Sequence, residues 1–108
     1  MQILDLSYNK IKEIEGLEGL LITELNLEGN EISSLRGLTK CPRLSILNIA
    51  QNNIVSLAPL TFCSQLHNLN VSGNQIQLIR QVEFLTELNW LKKLNLSGNP
   101  CCTKQSYR

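Results

Sequence analysis

At 108 residues the chain is long enough for one domain, and 43% apolar with 18% charged residues sets it among globular chains rather than disordered ones. A net charge of +1 offers no general attraction for nucleic acid or an anionic membrane, and aromatic residues at 5% supply few platforms for base stacking. The longest charge-free run, residues 44–79, is rich in Asn, Gln and Ser, so it is not the span of about 20 apolar residues that a bilayer requires.

Read from its start, the chain repeats one sentence. LDLSYNKI from Leu4 returns as LNLEGNEI from Leu25, LNIAQNNI from Leu47, LNVSGNQI from Leu69 and LNLSGNPC from Leu94. Aligned units begin at Met1, Ile22, Leu44, Leu66 and Leu91, with spacings of 21, 22, 22 and 25 residues. A fixed period in this range is the signature of a solenoid. The expected units are 1–21, 22–43, 44–65, 66–90 and 91–108, the last a partial cap, together one repeat domain. Met1 stands where the pattern wants Leu and no capping segment precedes it, so the chain reads as a fragment of a longer protein.

Within each of the first four units apolar residues fall at positions 1, 4, 6, 11, 14 and 17, and the partial fifth keeps the first four of these. Positions 4 and 6 are two apart, the period of a strand with one buried face. The later steps of three fit turns or short helical pieces on the opposite side. Each unit is then one coil, and stacked coils make a parallel sheet over a shared core. In the fourth unit, Val82, Leu85 and Leu88 are three apart and Phe84 and Leu88 four apart, which predicts a short helix, with Trp90 packing beside it.

Asn9, Asn30, Asn52, Asn74 and Asn99 stand where each strand must end and bend. A bend removes backbone N–H and C=O groups from the ladder, and an amide side chain can both donate to and accept from such groups. These residues are expected to form a structural column. Cys41 and Cys63 share one position in successive units, the position Leu88 fills later, so they read as small buried hydrophobes with free thiols. Cys101 falls at core position 11, while Cys102 has no core slot.

This pattern resembles the leucine-rich repeat family over essentially the whole chain. The 22-residue spacing and arcs such as IKEIEGL resemble its intracellular subtype, found in phosphatase regulators and many ciliary proteins. Asn99, Pro100, Tyr107 and Arg108 resemble that subtype's C-terminal cap, whose usual apolar helix does not follow here. Residues 81–108 also resemble the end of the repeat region in leucine-rich repeat proteins that carry a guanylate kinase domain, although the chain holds no phosphate loop. The resemblance implies an α/β solenoid with a parallel sheet on the concave face and turns, 3₁₀ segments and a short helix on the convex face. It also implies an intracellular setting: cytoplasmic, with cilium and nucleus as variants, and not secreted. The sequons Asn70-Val-Ser72 and Asn95-Leu-Ser97 then follow from the repeat itself.

Catalytic chemistry finds no footing. One histidine, no paired C-x-x-C and no Gly-rich phosphate loop argue against an enzyme, a metal site or a cofactor, and Glu13, Glu15 and Glu18 read as a solvated charge run. The expected function is binding another protein, as a monomeric scaffold or adaptor. The alternative is a non-catalytic arm of a larger guanylate kinase-like enzyme.

With positions 4 and 6 buried, positions 3, 5, 7 and 8 face outward. The expected partner-binding residues are Ile3, Tyr8, Glu24, Glu28, Ile46, Asn48, Gln51, His67, Asn68, Asn70 and Lys93. Ile3, Tyr8 and Ile46 stand out because nothing in the repeat pattern asks for apolar side chains there. Residues 1–31 carry seven acids and two bases, residues 32–43 add three bases, residues 80–108 carry five bases and two acids, and residues 44–79 carry no formal charge. Interface centres are poor in charge, so the contact centre is expected on the third and fourth units, with the charged flanks setting orientation.

Overall fold

The computed structural model describes residues 2–17, 21–76 and 91–99. Five short strands form one parallel sheet in sequence order: β1 (Gln2–Asp5), β2 (Ile22–Asn26), β3 (Ile46–Asn48), β4 (Asn68–Asn70) and β5 (Lys93–Asn95). Leu4, Leu25, Leu47, Leu69 and Leu94 pair across it in register, one beside the next. Register is fixed because a slip of one residue would turn every leucine to water. The single irregularity lies between Gln2 and Ile3.

The sheet ladder runs on past the strands. The N–H groups of Leu6, Leu27, Ile49 and Val71 donate to Asn26, Asn48, Asn70 and Asn95 carbonyls at 2.7–3.0 Å. The return arcs carry two matching 3₁₀ segments, Arg36–Lys40 and Ala58–Phe62. In each, a serine hydroxyl (Ser34, Ser56) accepts the first N–H, a threonine hydroxyl (Thr39, Thr61) donates back to a carbonyl three residues earlier, and the next N–H closes at the cysteine. Between sheet and arcs lies one core in which Leu25, Leu47, Ile49, Leu57, Leu60, Leu66 and Leu69 are no more than 1% exposed. Truncating one such leucine to alanine typically costs about 2–5 kcal/mol. Cys41 and Cys63 belong to this core as free thiols, and burial pushes the Cys63 thiol up to about 12. The core thins at both ends of the described stack: Leu4, Leu6 and Ile11 are half-buried, and Leu94 is 39% exposed.

The asparagine column is a bonded structure. Asn52 Nδ2 donates to the Ile49 and Ala50 carbonyls of its own bend and to Leu27 O of the preceding coil, while its Oδ1 accepts from Ile32 N–H at 3.0 Å. Asn74 repeats this toward Ile49 O and Ile54 N–H, and Asn99 toward Val71 O and Ile76 N–H. Asn30 reaches Leu6 O and accepts from both Asn9 N–H and Ile11 N–H. Each side chain therefore completes the bend of the coil before it. Asn30, Asn52, Asn74 and Asn99 are buried; Asn9 is exposed and bonds only the carbonyls of its own bend through Nδ2.

The short helix expected around Val82, Phe84, Leu85 and Leu88, with Trp90 packing beside it, lies outside the described residues. So do Cys101, Cys102 and the cap residues Pro100, Tyr107 and Arg108.

Position 8 holds a feature absent from the sequence reading. Tyr8, Gly29, Gln51, Gly73 and Gly98 all have positive φ, between 56° and 75°, in the left-handed region where a side chain is strained. The two side chains there each lie over the glycine of the next coil. A Cβ on Gly29 would overlap the Tyr8 ring, and one on Gly73 would stand 2.6 Å from Gln51 Nε2. The expectation that nothing in coil packing accounts for the Tyr8 ring is corrected: it covers the Gly29 backbone. Gly29→Ala should lower the urea midpoint through both backbone strain and overlap. Combined with Tyr8→Ala it should cost less than the sum of the two single losses, because the overlap is then already relieved; strictly additive losses would contradict this packing.

Candidate binding face

The in-register strands set outward side chains in rows across the concave face. Position 3 reads Ile3, Glu24, Ile46, Asn68 and Lys93, and position 5 reads Asp5, Asn26, Asn48, Asn70 and Asn95. Ile3 is 64% exposed and Lys93 is also exposed, while Glu24, Ile46 and Asn68 are half-buried. A groove of about 270 Å³ runs over β2, β3 and β4, bordered by Glu24, Asn26, Ile46, Asn48, Asn68 and Asn70.

Position 5 is a second structural column that sequence reasoning missed. Asp5, Asn26, Asn48, Asn70 and Asn95 each turn Oδ1 back to accept the N–H two residues on, at 3.0–3.1 Å. This side-chain turn leads the chain out of the strand. At Asp5 the Ser7 N–H and hydroxyl both donate to one carboxylate oxygen, which lowers its pKa below the ordinary 3.8. In Asn26, Asn70 and Asn95 the turn leaves the Nδ2 group facing outward, without a hydrogen bond among the described residues. The signal was present in the sequence: Asp or Asn recurs two residues before a turn in every unit.

Glu28 ties three coils together. Its Oε2 accepts from the Tyr8 hydroxyl at 2.9 Å and its Oε1 from Asn48 Nδ2 at 3.2 Å. Tyr8 and Gln51 stand at the rim where the strands bend, Tyr8 being 70% exposed. His67 is placed apart from the groove. It is half-buried at the leading edge of β4 and lines a wider depression of about 430 Å³ with Ser45, Gln65 and Lys92. Its N–H donates to Ser45 O and its carbonyl accepts from Lys92 and Lys93 N–H, so its backbone is part of the ladder.

The structure thus brings Glu24, Ile46, Asn48, Asn68 and Asn70 together around one groove, with Ile3 and Lys93 at the two ends of its row. Glu28, Tyr8 and Gln51 form its rim. Among the described residues no group of three His, Cys, Asp or Glu side chains is placed to hold a metal ion, and no helix is long and apolar enough to cross a membrane.

The Glu28 carboxylate, by accepting from the Tyr8 hydroxyl, raises the Tyr8 pKa above the ordinary 10.0. A phenol whose folded-state pKa is raised adds stability that is complete below the unfolded value and lost as pH rises through the folded value. The chain has two tyrosines, Tyr8 and Tyr107. Following tyrosinate absorbance against pH in the wild type and in Tyr107→Phe should show Tyr8 ionising above 10.0. Glu28→Gln should move that step down; an unmoved step would show that the hydroxyl is not held by Glu28.

Comparison with known proteins agrees with this architecture. The family model described as "Leucine-rich repeat" matches residues 1–108. No curated protein matches. Among solved structures, internalin C2 from Listeria monocytogenes superposes with a TM-score of 0.80 and 29% identity, over 90% of this chain and 42% of that one. A second internalin from the same organism, inlF, gives a TM-score of 0.72 and 28% identity, over 90% of this chain and 35% of that one. The chain thus spans less than half the length of either internalin. By the match along its whole length and the stacked coils that carry it, the chain belongs to the leucine-rich repeat family.

Proposed function

We propose that this chain is a protein-binding module whose partner docks on the concave strand face. One observation carries the reading: the in-register rows bring a charge-free centre, Ile46, Asn48, Asn68 and Asn70, into one groove, with Glu24 and Glu28 to one side and Lys93 to the other. A poorly charged centre inside a charged border is the usual plan of an interface. Repeat solenoids in general use their extended concave surfaces for binding. The backbone under the groove is held by the ladder, so it can meet a partner without rearranging.

In this reading the chain acts as a monomeric scaffold or adaptor inside the cell, in the cytoplasm, the cilium or the nucleus. The free thiols Cys41 and Cys63 are compatible with a reducing compartment. The enzyme-arm alternative rests on residues 81–108, most of which lie outside the described residues, and no structural observation favours it.

The test compares capture of partners from cell extract by the wild type, by Ile46→Lys with Asn68→Lys, and by Asn53→Lys on an exposed arc position. Circular dichroism and melting establish that all three are folded. The groove variant should lose the captured protein while the arc variant keeps it. Equal capture by all three would place the binding surface elsewhere.

A further inference from the structure

The groove has a polarity along its length and a donor-rich floor, and together these specify the kind of segment it would hold. Along position 3, Glu24 on β2 and Lys93 on β5 are separated by three in-register strand steps, with Ile46 and Asn68 between them. At about 4.8 Å per step the two charges lie roughly 14 Å apart across the sheet. Asp5 and Glu28 add to the acidic end, and Lys92 adjoins Lys93 at the basic end. The side-chain turns at position 5 use the oxygens of Asn26, Asn70 and Asn95 and leave their N–H donors facing outward, with Asn26 and Asn70 bordering the groove and Asn95 beyond its end on β5.

Unpaired donors call for acceptors. An α-helix has few to give, because its carbonyls are already bonded to its own N–H groups. An extended segment exposes one carbonyl per residue and is thin enough to lie in a groove of about 270 Å³. We infer that the concave face takes an extended segment of a partner protein laid across the strands, its carbonyls on the Asn26, Asn70 and Asn95 amides, a Lys or Arg against Glu24 and an Asp or Glu against Lys93. At about 3.4 Å per residue, a span of roughly 14 Å places the partner's base and acid about four residues apart, with an apolar residue between them over Ile46. This inference rests on the concave face being the binding surface and adds what that surface selects.

The probe is a displayed library of random short peptides, selected on the folded 108-residue chain. Enriched peptides should carry a base and an acid about four residues apart. Binding should weaken about tenfold in Glu24→Lys and return when the peptide's base is changed to Glu. Lys93→Glu, at an exposed position, should give the mirror result with the peptide's acid changed to Lys. Both variants are checked by thermal melting, and either suffices if the other unfolds. Peptides that lose binding to Ile46→Lys yet lack the charge spacing, or are not rescued by the swap, overturn the inference and leave the concave face as the binding site. A spacing of about nine or ten residues, as a helix would need, overturns the extended segment. Binders indifferent to every concave substitution overturn both the segment and the face, and a selection with no binders overturns the segment.

Discussion

The structure depends on one amide per coil reaching backwards. A strand that bends sharply leaves N–H and C=O groups without ladder partners, and burying them unpaired costs about 1–3 kcal/mol each. In this chain the remedy is only partly local: each amide donates to carbonyls of its own bend, but the N–H groups past the bend are satisfied from the next coil. Ile32 N–H is satisfied by Asn52, Ile54 N–H by Asn74 and Ile76 N–H by Asn99, each from the following coil. Among the described residues no buried side-chain polar atom lacks a partner. A single coil can satisfy neither its leucines nor its bend, so the stack is stable only as a stack, through nearest-neighbour interactions.

That dependence also orders the strand face proposed for binding. Rigid registration between coils is what turns residues far apart in sequence, such as Glu24, Ile46, Asn68 and Lys93, into one line. The second column, at position 5, directs the strand exit and fixes which atoms look outward. Its oxygens are bonded to the backbone, so Asn26, Asn70 and Asn95 present donors. At the rim, Tyr8, Glu28 and Asn48 link the first three coils through side chains alone. Tyr8 holds a strained left-handed backbone there, stabilised by its ring on Gly29 and its hydroxyl on Glu28.

Much of this was legible in the sequence because repetition gives every position five readings. Leu4 to Leu94 fixed the buried row, the recurring asparagine announced the bend, and Cys41 and Cys63 could be read as core from their equivalence to Leu88. What escaped were roles visible only once backbone angles and side-chain directions are known. Three glycines at position 8 carried a signal for positive φ, but Tyr8 and Gln51 in the same column hid it. The asparagines at position 5 looked like free surface because their oxygens are occupied by a turn two residues ahead. Exposure was also misjudged by pattern: Ile46 and Glu24 face outward yet are half-buried, since neighbouring strands crowd the middle of a sheet more than its ends.

The backward-reaching amide is tested most directly by amide hydrogen exchange in Asn52→Ala. If the column joins the coils, the Ile32 N–H, which Asn52 holds at 3.0 Å, should lose its protection, and Ile54 N–H in the next coil should follow as cooperativity between coils falls. If Ile32 N–H exchanges as slowly as in the wild type, the bend is satisfied by other means and the column does not hold the stack together.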